Sequence, residues 1–401
     1  MSLLIRDVRL IDGVADDAQD HIDVRVEGER IAFVSPHDPG RAADPGPTEV
    51  IEGAGRTLLP GLIDAHTHYT FDPTEGSLQA IARRSDAEIL APAARHAGRA
   101  LGAGITTARG AGSIRNLECR LRDAIAAGDV AGPRIVAAGT AVGSVGGHGS
   151  AFGLEADGPD ELAQATRQVV SHGADVVKVV ASEAAMLTTT GLAPGAMVHG
   201  APELTRDELR AIVTTATDLG RHVMCHAQDG ESVRRSAAAG VTSVEHAWLA
   251  DEGAIEALAV SGAWLVPTLV VTDVNRTLPG LTTVQRERQD LIERRHRIST
   301  EAAIRIGIPV ATGTDTGEVG VTADMIWREI VLLYDHGASA MSAIKAATSA
   351  AARLLGVDAD TGTIEEGMLA DLVLVEGDPL ADLASLARPV AVWQGGRAVS
   401  A

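Results

Sequence analysis

The apolar positions of this chain fall into two textures that change near Pro60. Up to residue 58 they form short β-rich runs, Leu3–Ile5, Val8–Ile11, His21–Glu27 and Arg30–Ser35, followed by a Gly/Pro/Asp loop over Pro36–Pro47. Beyond Pro60, apolar runs alternate with Ala-rich stretches of helical period. The runs predict strands near Leu58–Ala65, Ile105–Arg109, Arg134–Ala138, Val176–Val180, His222–His226, Ser243–His246, Trp264–Thr268 and Pro309–Thr314. The stretches predict helices over Asp86–Leu101, Leu117–Ala127, Asp160–His172, Arg206–Leu219, Ser232–Ala239, Glu252–Val260, Val284–Ile306 and Ala323–Asp335. Thr205 with Glu208 forms a capping signal, and Ser232 leads into its helix. One more helix is expected over Ala338–Leu355, and strands return over Gly362–Val375 and Pro389–Val399.

Eight strand–helix units point to an α/β protein built as a (β/α)8 TIM barrel. A doubly wound sheet is the alternative, but no glycine-rich nucleotide fingerprint follows the first strand. The β-rich ends flank the barrel, and the simplest packing joins them into a small β-sandwich domain. The expected division is residues 1–58 with 359–401 for the sandwich and 59–358 for the barrel.

Composition narrows the functional classes. The chain has 401 residues, 45% of them apolar but only 2% aromatic, so its core must be aliphatic. With 34 basic and 54 acidic residues the formal charge is −20, which argues against nucleic acid, whose binding needs a basic surface. Arg6 and Asp7 interrupt the first apolar run, so it does not read as a signal peptide, and no run approaches the ~20 residues that span a bilayer. Cys119 and Cys225 are the only cysteines, too few for a disulfide framework. A cytoplasmic protein with no membrane partner is expected.

In a (β/α)8 barrel, functional side chains gather at the C-terminal ends of the strands. The first strand ends in Leu-Pro-Gly-Leu-Ile-Asp-Ala-His-Thr-His (59–68). Residues i and i+2 of a strand share a face, so His66 and His68 converge, and two converging imidazoles can hold a metal ion. Lys178, His226, His246 and Asp315 stand at or near the ends of four other strands. Lys178 is the sharpest of them. The chain contains two lysines, Lys178 and Lys345, against 32 arginines, and Lys178 sits among valines. A buried ammonium without a partner is costly, and arginine cannot replace a lysine that must react as a neutral amine. Reaction with CO2 would give a carbamate able to bridge two metal ions. The bland readings stay open singly: a buried Lys–carboxylate pair, a core imidazole at His226, a structural His246, a helix cap at Asp315. Cys225 reads as core packing toward the helices, and Lys345 as a surface residue.

These residues resemble the ligand set of the metal-dependent amidohydrolase superfamily, and in particular its imidazolonepropionase-related, Xaa-Pro dipeptidase-like branch. Residues 59–68, Ala-Gly-Val-Thr-Ser-Val-Glu-His (239–246), Ala-Thr-Gly-Thr-Asp-Thr (311–316) and the segment 362–380 carry the resemblance over nearly the whole chain. It implies a binuclear centre of two divalent ions, zinc first. His66, His68 and Asp315 would hold one and His226 and His246 the other, with N6-carboxylysine at Lys178 and a hydroxide between them. Asp315 would act as general base and acid, and His148, in Val-Gly-Gly-His-Gly (145–149), would stabilise the transition state at the substrate carbonyl.

The implied activity is hydrolysis of an amide or peptide-like C–N bond in a small molecule such as an N-acyl amino acid or a dipeptide. A mononuclear deaminase or a cyclic-amide or lactone hydrolase is the second reading, and a non-catalytic scaffold a remote third. The loop Glu183–Gly191 and the run His226-Ala-Gln-Asp depart from relatives, so substrate choice does not carry over. Tyr69, Arg109, His199 and Gln228 lie at or near strand ends and are candidate substrate contacts. The oligomeric state is open, a homo-oligomer included.

Overall fold

Alternation sets the two sides of the central strands. In the computed structural model, which describes residues 2–39, 48–74, 78–183 and 201–399, Val177 and Val179 join Val223, Cys225 and Val244 in one aliphatic cluster. Leu162, Leu209, Ile212, Val233 and Leu258 from the covering helices complete that cluster. The intervening positions Val176 and Met224 pack elsewhere, with Ala111 and Ala138. The side of the sheet away from the helices is therefore left to Lys178 and its neighbours of like parity.

The strands form two parallel sheets. One contains Leu62–Thr67, Ile105–Gly110 and Arg134–Val136. The other runs in the order Gly153–Glu155, Ala141–Gly143, Val176–Val180, His222–Asp229, Ser243–Leu249, Trp264–Val266. Its register sets Val180 beside His226 and His226 beside Glu245. The expected strand Pro309–Thr314 does not form a continuous ladder. Its backbone bonds are divided between both neighbours, Ala311 N to Leu265 O at 3.1 Å and Ala65 N to Thr312 O at 2.9 Å. Its hydroxyls take further partners, Thr312 Oγ1 donating to Ile63 O and Thr314 Oγ1 to Asp64. On the far side, Asp175 N donates to Ala137 O at 2.7 Å, beside the start of Val176–Val180.

Strands from both ends of the chain share one sheet of eight. Leu372–Glu376 pairs antiparallel with Arg56–Pro60, which is followed through Ser2–Leu10, Gln19–Glu27 and Arg30–Pro36. Thr48–Glu52, not expected from the sequence, also pairs with Ser2–Leu10. The single apolar run read across Leu58–Ala65 is split at Gly61 between this sheet and a parallel one, and a Cβ there would lie 2.1 Å from Thr106 Oγ1.

Most helices follow their predicted places, but the one expected from Ala323 begins at Ile326, Leu78–Ala82 and Leu269–Asn275 were not expected, and two others differ locally. The helix expected from Ser232 starts at Gly230 because Asp229 is its cap, accepting from Glu231 N and Ser232 N at 2.9 and 3.0 Å. The single helix over Ala338–Leu355 is two, Ala340–Ala346 and Ser349–Leu355, separated at Thr348, whose backbone is not helical. Thr205 and Glu208 form the expected capping box. Lys345 is not simply solvated: its Nζ donates to Val14 O and Asp16 Oδ1 at 2.8 and 2.7 Å. No helix among the described residues is long and apolar enough to cross a membrane.

Candidate active site

The C-terminal ends of the parallel strands bring seven side chains into one cluster. His66 and His68 face the same side, their ring centroids 5.5 Å apart. The Asp315 amide donates to His66 O at 2.8 Å, which holds the carboxylate beside them. Asp315 Oδ1 lies 3.4 Å from His66 Nε2 and 3.5 Å from His68 Nε2, and Oδ2 lies 3.8 Å from His246 Nδ1. Ligand atoms of His66, His68 and Asp315 all lie within 4.8 Å of one another. Lys178 Nζ is 3.3 Å from His66 Nε2. The His246 ring is 4.9 Å from that of His66 and 4.6 Å from that of His226, and His148 follows 5.0 Å from His226.

Buried hydrogen bonds fix three of the four clustered histidines that end strands or follow them. His66 Nδ1 lies 2.7 Å from Glu245 Oε2, His68 Nδ1 2.9 Å from Gly112 O, and His246 Nδ1 2.8 Å from Thr268 Oγ1. Donation from each Nδ1 would leave each Nε2 lone pair free to bind a cation. Among the described residues, His226 Nε2 is buried with no hydrogen-bond partner. Backbone strain is concentrated here: His246, Ala247, Thr268 and Asp315 all adopt left-handed φ, at 75°, 52°, 56° and 58°. The first two explain why Glu245 and His246, adjacent on one strand, both reach His66.

Burial dominates the electrostatics. It pushes the pKa values of His66, His226 and His246 well below the usual imidazole value, with the positive charge of Lys178 acting in the same direction. His68 is lowered to about 3 and His148 to about 4 for the same reasons. Burial also lowers the Lys178 pKa against the pull of Glu245 and Asp315. It raises that of Asp315, with the Glu318 carboxylate adding to the effect. A cluster of neutral imidazoles and a carboxylate, with one vacant buried ring nitrogen, has the donor chemistry of a divalent metal site.

Comparison with known proteins places this geometry. The model of the amidohydrolase family matches residues 57–399. The chain belongs to the amidohydrolase family. Ochratoxinase of Aspergillus niger is 29% identical over 378 residues, 85% of this chain and 75% of that protein, and its crystal structure superposes with a TM-score of 0.85. The crystal structure of a Xaa-Pro dipeptidase with bound methionine in its active site is 29% identical, covers 99% of both chains and gives a TM-score of 0.88. Imidazolonepropionase of Hyphomonas neptunium is 25% identical over 403 residues, covering 90% of this chain and 89% of its own. This amidohydrolase is thus a hydrolase of C–N amide or peptide bonds.

Two of the four expected substrate contacts lie elsewhere in the amidohydrolase. Arg109 is 2% exposed and lies beneath the histidines. Its Nη2 donates to Glu245 at 2.9 and 3.1 Å, Nη1 to Ser243 Oγ at 3.0 Å and Nε to Ala65 O at 2.7 Å. Tyr69 is out of phase with His66 and His68, so its ring packs in the aliphatic core with Ala93 and Ala97. Gln228 keeps the parity of His226 and is buried, its backbone N–H donating to Ser182 Oγ at 3.1 Å. His199 and residues 184–191 of the Glu183–Gly191 loop lie outside the described residues.

Sequence reasoning missed three supports of the site. Glu245 escaped it because alternation assigns positions 245 and 246 to opposite faces, and a left-handed φ leaves no sequence signature. Asp64 was findable, two residues before His66 on the same face. It accepts from Thr314 N and Oγ1 at 2.9 and 2.6 Å, and burial raises its pKa to about 6. Glu118 accepts from Ala138 N and Gly139 N at 2.7 and 2.9 Å; burial lifts it to about 7.

Proposed function

We propose that this amidohydrolase is a binuclear metal-dependent hydrolase that cleaves the amide bond of an N-acyl amino acid or a dipeptide. The observation that carries the reading is the convergence of His66, His68, Lys178, His226, His246 and Asp315 from separate strand ends. His66, His68 and Asp315 would hold one ion and His226 and His246 the other, with Lys178, as N6-carboxylysine, shared between them. Zinc suits the imidazole-rich set. When bound, the ions lower the pKa of a water and polarise the scissile carbonyl. Asp315 takes the proton of the attacking water and delivers it to the leaving nitrogen. His148, held by its backbone amide to Glu203 Oε1 at 2.8 Å, presents its ring beside His226, where it can bond the carbonyl oxygen as charge develops. Gln228 and His199 remain the proposed substrate contacts.

A relative with methionine in its active site supports a substrate that releases a free amino acid. The fold in which this happens is proposed as a closed (β/α)8 barrel over 59–358. The backbone bonds at Ala311 and Ala65 on one side and Asp175 on the other support the closure. The small β-sandwich domain would comprise 1–58 and 359–401. Two free, buried cysteines agree with the cytoplasm as its location.

The test is a screen of N-acyl amino acids, dipeptides, carbamates and lactones, with metal counted on the same preparation. The reading expects two ions per chain and turnover among the first two classes. One ion with an unmodified Lys178, and turnover confined to deamination or lactones, would replace it with the mononuclear reading.

A further inference from the structure

We infer that Arg109 and Glu245 form a buried positioning pair that sets the tautomer of His66 and thereby the strength with which one ion is held. The inference rests on the binuclear reading and adds two residues to it. Glu245 is fully buried and its carboxylate touches three groups: His66 Nδ1 at 2.7 Å, Arg109 Nη2 at 2.9 Å, and the hydroxyl of Ser243. Arg109 spans the interior from Ala65 O, next to His66, to Ser243 and Glu245 on the strand that carries His246.

Three features separate this pair from ordinary core polarity. First, a buried carboxylate is costly unless ion-paired, and Arg109 Nη2, 2.9 and 3.1 Å from its two oxygens, supplies the pairing while Nη1 and Nε anchor the guanidinium to Ser243 and Ala65. Second, a proton on His66 Nδ1 leaves the lone pair on Nε2. That is the atom facing both Lys178 Nζ at 3.3 Å and Asp315 Oδ1 at 3.4 Å. Third, the other fixed histidines use neutral partners, a carbonyl for His68 and a hydroxyl for His246. Only His66 therefore receives the added basicity a carboxylate gives a ligating imidazole.

The experiment measures zinc affinity by chelator competition and zinc per chain on purified Glu245→Gln, Arg109→Lys and Arg109→Met. The melting temperature of each metal-free variant is recorded alongside. Glu245→Gln should weaken one of the two ions about 10- to 100-fold while the other stays near wild-type strength. Arg109→Lys, which keeps the charge but not the three-way hydrogen bonding of the guanidinium, should fall between wild type and Arg109→Met. Unchanged affinity for both ions in a Glu245→Gln protein with wild-type metal-free melting would overturn the inference. Equal weakening of both ions would also overturn it, showing general loosening in place of control of His66. If Glu245→Gln does not fold, the graded Arg109 series decides: affinities of Lys and Met variants equal to wild type overturn it. Wild-type protein that binds no zinc is a separate result, and that one removes the metal reading itself.

Discussion

In the proposed mechanism the chemistry turns on Lys178 and Asp315. Among the described residues, the hydrogen-bonding partner of the Lys178 ammonium is His66 Nε2, so a simple buried Lys–carboxylate contact is not what holds it. Burial drives its pKa down, toward the neutral amine that carbamate formation needs. Lys178→Ala should therefore reduce turnover to background, with short-chain carboxylic acids plus added metal restoring part of it. Full activity in that variant would end the carbamate proposal. Asp315→Asn keeps a metal-facing oxygen but not the ability to carry a proton. Turnover should drop about 10²- to 10⁴-fold, the usual worth of a positioned acid–base group. Metal per chain, measured on the same sample, should stay near the wild-type value; parallel loss of metal would show that Asp315 acts as a ligand alone.

At the scale of elements, regular segments were legible and junctions were not. Val176–Val180 appears with its predicted bounds because a valine run flanked by polar residues has few alternatives. The strand–helix alternation and the pairing of the two chain ends could likewise be read from pattern. The split at Gly61, the divided bonding of Pro309–Thr316 and the left-handed turn at His246 could not, because each depends on a partner distant in sequence. His66, His68 and His226 were legible through strand parity, and the same parity turns Tyr69 away from them. The short helix Leu269–Asn275 is another junction missed. Its start is held by Glu329, which accepts from Leu269 N and Val270 N at 2.9 and 2.8 Å, and its capping position, Thr268, bonds His246. Burial raises Glu329 to about 8. A carboxyl whose folded pKa lies above its unfolded value of about 4.5 stabilises the fold below that value and loses the contribution as pH rises toward 8. Glu118, at about 7, acts in the same sense. Metal-free stability should thus decline from pH 6.5 to 8, by on the order of 2 kcal/mol from Glu329. Denaturant titrations of Glu329→Gln across that range should show a flatter profile on a lower baseline. An unchanged slope would mean that Glu329 is ionised in the folded protein.

For the whole molecule, the cluster brings together side chains from three parts of the fold. His66 and His68 come from the three-stranded sheet and Asp315 from the segment after Pro309. Lys178, His226 and His246 come from the six-stranded sheet. Ions held across them would act as cross-links present only in the folded state, worth about 4 kcal/mol when free metal exceeds the dissociation constant 1,000-fold. Chelation should lower the melting temperature by several degrees, and zinc should restore it. Acid adds a second signature. The depressed histidines, among them His68 at about 3 and His148 at about 4, contribute stability above the unfolded imidazole value of about 6.5. That contribution is lost as pH falls toward the folded values. Seven depressed histidines, His296 and His336 among them, face six raised carboxyls, Asp64, Glu118, Glu203, Asp315, Glu318 and Glu329, which oppose the trend. The two sets largely offset, so the metal-free protein should change its melting temperature little between pH 6.5 and pH 5. The zinc-loaded protein should fall more steeply over the same interval, because protons then compete with the ions for the same nitrogens. Calorimetry of both forms at the two pH values separates these effects, and parallel lines for the two forms would show that the bound ions are not held by this histidine cluster.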